Sequence, residues 1–174
     1  MLYTKKGDDG KTNIFGCDQR LSKSSAITEA LGCLDEINSY LGIIKTKVND
    51  IKNKELIHRI QNDLFTIQAE VAGADKKIED EEVKYLEEVI NNIEKELPPI
   101  FFFLISGANE MSAHFDFART LSRRAERRVV AVSDEKKTKI DSETLIYLNR
   151  LSSLLYALAR FYAVKSGPEE SPKY

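Results

Sequence analysis

The chain has 174 residues, 42% hydrophobic and 31% charged, with eight glycines and four prolines, a balance that favours one folded, helix-rich domain over disorder or a turn-rich β protein. A formal net charge of -2 gives no global basic field, which argues against generic nucleic-acid binding and requires any positive site to be local. The cysteines, Cys17 and Cys33, are too few and too isolated for a disulfide framework or a four-ligand zinc site, and they suit a reducing cytoplasm.

The opening MLYTKKGDDG has no apolar signal region, and no stretch approaches the ~20 apolar residues of a membrane span, so a cytoplasmic protein off the membrane is expected. From Met1 to about Ser25 the chain is polar, carries Gly7, Gly10 and Gly16 and lacks a sustained apolar period, which predicts a glycine-containing arm. Ser24 and Ser25 are N-cap candidates for a first helix, whose stripe is Ile27, Leu31, Leu34, Ile37, Leu41 and Ile44. A second helix is predicted from about Asn53 to Ala74, with Leu56, Ile60, Leu64, Ile67 and Val71 as its stripe and a frayed end at Gly73.

Glu79 to Leu97 reads as a third helix, acidic at its start as the helix dipole prefers and ended by Pro98-Pro99. The apolar run Ile100 to Ile105 fits a short strand, a buried linker or the approach to the next helix. A fourth helix is expected over Asn109 to Ser133, a charged loop over Asp134 to Lys139, and a fifth helix from Ser142 to about Lys165, stopped by Gly167-Pro168. The expected architecture is all-α: a five-helix bundle in a single domain, with an arm (1–25), the bundle (26–166) and a tail (167–174).

Five arginines fall between Arg119 and Arg128 of an otherwise slightly acidic chain. At about 100° per residue, Phe115, Ala118, Leu121, Ala125, Val129 and Val132 form a core face. Arg119, Arg123 and Glu126 lie to one side with Arg127 just beyond, and Arg124 and Arg128 lie on the other flank. Arginines at i and i+4 repel, so carboxylates from elsewhere or a polyphosphate are expected to offset them.

In the arm, Tyr3-Thr4-Lys5-Lys6-Gly7-Asp8-Asp9-Gly10-Lys11-Thr12, followed by Ser22-Lys23, combines glycines with Lys and Thr donors suited to phosphate, although it is not a Walker A loop. Asp35 shares a helix face with Leu31, Asn38 and Gly42, where the missing side chain suggests close approach of another helix or a ligand. Asn149 and Tyr156 share a face on the fifth helix. A ferritin-like metal bundle would need inward carboxylates and Glu-x-x-His motifs; His58 and His114 are read instead as structural or surface residues.

In order, YTKKGDDGKTNIFG, RLSK, EALGCLDEINSYLG, FFFLISGANE, ARTLSRRAERRVV and YLNRLSSLLYALARF closely resemble the PduO-type ATP:cob(I)alamin adenosyltransferases over nearly the whole chain. The resemblance implies a homotrimeric five-helix bundle with active sites between subunits, with ATP and cob(I)alamin as substrates, Mg²⁺ held mainly through the ATP phosphates, and a corrinoid reductase as a possible partner. It puts Thr4, Lys5, Lys6, Gly7, Thr12, Asn13, Lys23, Arg123, Arg124, Glu126, Arg127 and Asn149 at nucleotide positions. It makes Asp35 and Arg119 a pair that bridges subunits near the corrinoid, and Phe103, Leu155 and Tyr156 apolar corrinoid-side residues. Where the family commonly reads F-x-L-P-G-G, this chain has Phe103-Leu104-Ile105-Ser106-Gly107-Ala108.

The implied reaction needs no general base, because cobalt(I) is itself a strong nucleophile toward the 5′ carbon of ATP. Catalysis then consists of orienting that carbon, with Arg119, Arg123 and Asp35 as the implied catalytic residues, and of stabilising the departing triphosphate. The competing expectation is a helical binding or regulatory module whose arginine face docks an acidic partner or RNA.

Overall fold

In the computed structural model the described residues are 3, 5–14, 20–101, 103–165, 167 and 171–173. The expectations placed on Thr4, Gly16, Cys17 and much of the tail lie outside them. Five helices follow a small hairpin: β1 (Lys11–Asn13), β2 (Arg20–Ser22), α1 (Ala26–Lys47), α2 (Ile51–Val71), α3 (Asp80–Glu94), α4 (Glu110–Asp134) and α5 (Ser142–Val164). Among the described residues, no helix is long and apolar enough to cross a membrane.

α1, α2 and α4 start where a side chain satisfies open backbone amides. Ser25 accepts from the Thr28 amide to cap α1, and Asp50 accepts from the Lys52 amide to cap α2. That aspartate starts α2 two residues before the predicted Asn53. Asn109 and Ser112 exchange bonds in a capping box at the start of α4. α3 closes at Glu94, short of the predicted Leu97.

The predicted stripe of α2 is buried throughout, as is the predicted core face of α4. On α1 the stripe holds from Leu34 onward, whereas Ile27 and Leu31 are only partly covered. α5 packs against both α3 and α4, while α1 packs against both α4 and α2. Polar bonds tie α2 to α5 as well. The buried Tyr147 hydroxyl donates to Asp63 Oδ2 at 2.7 Å, and Glu70 accepts from the Asp141 amide at 2.7 Å and the Thr144 hydroxyl at 2.5 Å. Each fully buried Leu or Ile in this seam contributes roughly 1.5–3 kcal/mol.

Part of the arm is extended. β1 and β2 pair antiparallel, Lys11 opposite Ser22 and Asn13 opposite Arg20, and the Thr28 hydroxyl fixes the hairpin to α1 by donating to the Ser22 carbonyl at 3.0 Å. The polar composition concealed these three-residue strands, which have no apolar alternation to reveal them. Between α3 and α4 the described residues of the apolar run form neither a strand nor a buried linker: Ile100, Phe101, Phe103 and Ile105 are exposed in irregular backbone.

Candidate active site

α4 carries its arginines to two different surfaces. Toward α1, Arg124 pairs with Glu36, and Arg128 lies 3.5 Å from Glu29. Those carboxylates offset the repulsion on that flank, and Glu36 holds Arg124, which was expected at a nucleotide position, toward α1. On the other flank Arg123 is exposed, and neither it nor Arg127 has an ion pair among the described residues. Two neighbouring guanidiniums that no carboxylate pairs with among the described residues are a ready site for an anion.

Arg119 and Arg123 open onto a cleft of about 450 Å³ between α4, α5 and the 103–108 loop. Phe103, 80% exposed, stands at its mouth, and the cleft is lined further by Ile105, Ser152 and Tyr156. The Arg119 guanidinium lies 5.8 Å from the centre of the Tyr156 ring. Its Nε is buried without a hydrogen bond, and Asp116 Oδ1 at 3.6 Å is beyond bonding range. Leu155, expected on the corrinoid side, is instead sealed in the core at 0% exposure. One residue is a rotation of about 100°, which carries Tyr156 to the cleft and Leu155 away from it.

The loop departs from the expected pattern at Ser106 and Ala108, in place of a Pro and a Gly, and Gly107 between them makes a left-handed turn, with φ +94°. A Cβ there would meet only Ala113 Cβ at 3.7 Å, so the positive φ is what calls for glycine. Arg160 at the base of the cleft donates to the Pro98 carbonyl at 2.9 Å, fixing the start of the same segment. Sequence reading missed this residue, because an arginine 6% exposed inside an apolar helix gives no local sign of its partner.

Beside the cleft, Asn149 Nδ2 donates to Glu126 Oε1 at 3.0 Å, and Asn149 Oδ1 accepts from Arg150, which Glu87 holds at 2.7 Å. These bonds set the two polar side chains expected at nucleotide positions, Glu126 and Asn149, against one another. His114 accepts from or donates to the Tyr40 hydroxyl at 2.7 Å. Glu55 and His58 do form a Glu-x-x-His spacing, yet His58 is exposed, and among the described residues no group of three or more His, Cys, Asp or Glu side chains is arranged to hold a metal ion.

A second cleft of about 680 Å³ lies between the hairpin, α1 and the end of α2. It contains Thr12, Asn13, Leu31 and Asp35, with Phe65 and Gln68 from α2. Gln68 Nε2 is buried there without a partner. Asp35 therefore occupies a different cleft from Arg119. Gly42, on the Asp35 face, is met by α2: a Cβ there would lie 3.6 Å from Gln61 Nε2, an ordinary contact.

In the arm, Lys5 and Lys6 are exposed and Lys5 has φ 60°. Lys23 donates to the Gly7 carbonyl at 2.8 Å, its ammonium occupying the space where a Cβ on Gly7 would come within 3.0 Å. Arg20 forks onto Asp9 at 2.8 and 2.9 Å and donates to the Lys6 carbonyl; the guanidinium holds the Asp9 carboxyl below its ordinary range. Asp9 and Arg20 both lie in the quoted motifs, yet neither was expected as a site residue, because only the hairpin brings them together.

A family profile described as cobalamin adenosyltransferase matches residues 2–162. The chain belongs to the cobalamin adenosyltransferase family. The corrinoid adenosyltransferase PduO of Citrobacter freundii is 38% identical over 91% of the chain, which spans about half, 49%, of that relative. A corrinoid adenosyltransferase of Bacillus subtilis is 36% identical over 95% of this chain and 88% of its own length. Among solved structures, a variant PduO-type ATP:corrinoid adenosyltransferase from Lactobacillus reuteri complexed with cobalamin and ATP superposes with a TM-score of 0.91 at 31% identity, covering 100% of both chains. The five-helix bundle is thus the bundle of the cobalamin adenosyltransferase family.

Proposed function

We propose that this chain transfers the 5′-deoxyadenosyl group of ATP to the cobalt of a reduced corrinoid. The electron pair of cobalt(I) forms the cobalt–carbon bond at C5′, and the bond from C5′ to the triphosphate oxygen breaks with its electrons on triphosphate. The observation that carries the reading is the contrast on α4: Arg124 and Arg128 face carboxylates, while Arg123 and Arg127 have no ion pair among the described residues and Arg123 lines a cleft with Phe103 and Tyr156. A cation site adjoining an apolar cleft suits a polyphosphate leaving group and a flat macrocycle held together.

In this reading Lys5, Lys6, Gly7, Thr12 and Asn13 of the arm, with Arg123, Glu126, Arg127 and Asn149, hold ATP, and Phe103 and Tyr156 face the corrinoid. Lys23 acts through Gly7, and Arg124 through its brace to α1. Mg²⁺ arrives with the ATP phosphates as the counter-ion of the substrate. Asp35 and Arg119 belong to separate clefts of one chain, and a second copy that brings Asp35 to Arg119 supplies the Arg119 Nε with the acceptor it lacks. A homotrimer with sites between subunits closes such head-to-tail contacts without leaving an open end. The reading includes a cytoplasmic setting and a reductase that delivers cobalt(I).

The test mixes protein, Mg-ATP and chemically reduced cobalamin and follows the visible spectrum. Conversion to the adenosylated form with release of triphosphate is expected; ATP cleavage to ADP and phosphate with no adenosylated corrinoid overturns the reading. A module that merely docks an acidic partner would give neither the spectral change nor a Mg-ATP-dependent thermal shift.

A further inference from the structure

We infer that Arg20, seated by Asp9, is a positioning residue for triphosphate, holding the Lys6 and Lys11 carbonyl oxygens of the arm inward so that they do not face the phosphates. The inference rests on the functional reading above and deepens it. A loop of peptide units presents as many carbonyls as amides, and an oxygen lone pair aimed at a polyphosphate repels it. A phosphate-binding loop must therefore dispose of its carbonyls.

In this arm the carbonyls flanking the turn are taken up internally. The Lys6 carbonyl accepts from Arg20, as does the Lys11 carbonyl at 3.4 Å. The Gly7 carbonyl accepts from the Lys23 ammonium, the Gly10 carbonyl from the Lys23 amide at 2.9 Å, and the Lys5 carbonyl from the Asp8 amide at 3.3 Å. Gly10 reaches this geometry at φ +77°, a conformation that costs glycine little. Arg20 lies in β2 directly opposite Asn13 of β1, so its planar guanidinium reaches both ends of the loop at once.

Asp9 completes the clasp. Its Oδ1 accepts from Arg20 at 2.8 Å and from the Lys11 amide at 3.2 Å, and its Oδ2 accepts from Arg20 at 2.9 Å. The carboxylate fixes the orientation of the fork and offsets its charge. An ammonium in place of the guanidinium keeps the charge but cannot span Asp9 and two carbonyls.

The experiment compares Arg20→Lys, Arg20→Gln, Asp9→Asn and Asp9→Glu in steady-state adenosylation with chemically reduced cobalamin, and in thermal-shift titrations with Mg-ATP. For both Arg20 variants the KM for ATP is expected to rise by about tenfold, the KM for corrinoid to stay within about twofold, and the thermal midpoint without nucleotide to hold. Asp9→Asn should act in the same direction but more weakly, with Asp9→Glu recovering part of the loss. Arg20→Lys grouping with wild type in the ATP titration, or a fall in kcat with unchanged KM for ATP, overturns the inference. Failure of the wild type to adenosylate cobalamin defeats the functional reading instead, and the Mg-ATP titration still reports on Arg20.

Discussion

Arg128 Nη2 lies 3.5 Å from Glu29 Oε1, so α1 supplies the carboxylate for one flank of α4. Four residues earlier, Arg124 is braced in the same way by Glu36, and the helix rotates Arg123 away from both. Arg123→Ala should therefore lower turnover by about 10²–10³-fold, the usual effect of removing one contact to developing charge. Arg128→Ala loses only a half-exposed pair worth up to about 1 kcal/mol of stability and should leave turnover near wild type. Single-turnover rates of the two variants check this, and equal, mild effects would mean that Arg123 is merely solvated.

Assembly gives a second prediction. Asp35→Asn should weaken the oligomer or the affinity for corrinoid, because removing one partner of a pair that becomes buried typically costs about 3–5 kcal/mol. Among the described residues the one carboxylate within ion-pair distance of Arg119 is Asp116, at 3.6 Å. Sedimentation velocity and corrinoid titration read the outcome, and the Asp35→Arg, Arg119→Asp double variant should recover part of the loss. A trimeric, fully active Asp35→Asn protein would show that no such pair forms.

The seam between α2 and α5 predicts a pH dependence. Burial raises the Glu70 carboxyl above its ordinary range, against the partial opposition of the Thr144 and Asp141 bonds, and burial also raises Asp63. A raised folded-state pKa means that the protonated form is favoured by folding. The stabilisation is fully present below the unfolded value and is lost as pH rises through the folded one. Glu70→Gln, which is neutral throughout, should flatten the thermal midpoint across that window relative to wild type. An unchanged slope would show that Glu70 titrates as an ordinary surface glutamate.

The helices were legible because burial imposes a period: Leu56, Ile60, Leu64, Ile67 and Val71 are all buried on α2, as their spacing required. The two flanks of α4 were legible for the same reason, but not which flank would meet carboxylates, since Glu29 and Glu36 are brought there by packing α1 on α4. The hairpin was hidden, its six strand residues carrying no apolar alternation. On α5 the resemblance put both Leu155 and Tyr156 on the corrinoid side, but neighbours in sequence are about 100° apart on a helix, so Leu155 is buried in the core and only Tyr156 lines the cleft.

The last prediction concerns Phe103. A cobalt(II) corrinoid that keeps a nitrogen or water ligand on its lower face is hard to reduce, so an enzyme that starts from cobalt(II) must leave the metal four-coordinate. An aromatic side chain does this without bonding to the metal, by filling the vacated space and excluding water. Phe103 is placed for such a role at the mouth of the cleft, on a loop anchored by Arg160 and turned by Gly107. Its 80% exposure also means that it contributes little to the core, so Phe103→Ala should keep the wild-type thermal midpoint and bind ATP almost normally. Turnover should fall strongly when cobalt(II) is reduced on the protein and much less when cobalt(I) is supplied chemically. Electron paramagnetic resonance of the cobalt(II) corrinoid bound with Mg-ATP provides the direct measurement: the four-coordinate signal should be lost or reduced in Phe103→Ala. If that signal persists unchanged, displacement of the lower ligand belongs to another side chain, with Tyr156, beneath Arg119 in the same cleft, the next to be replaced.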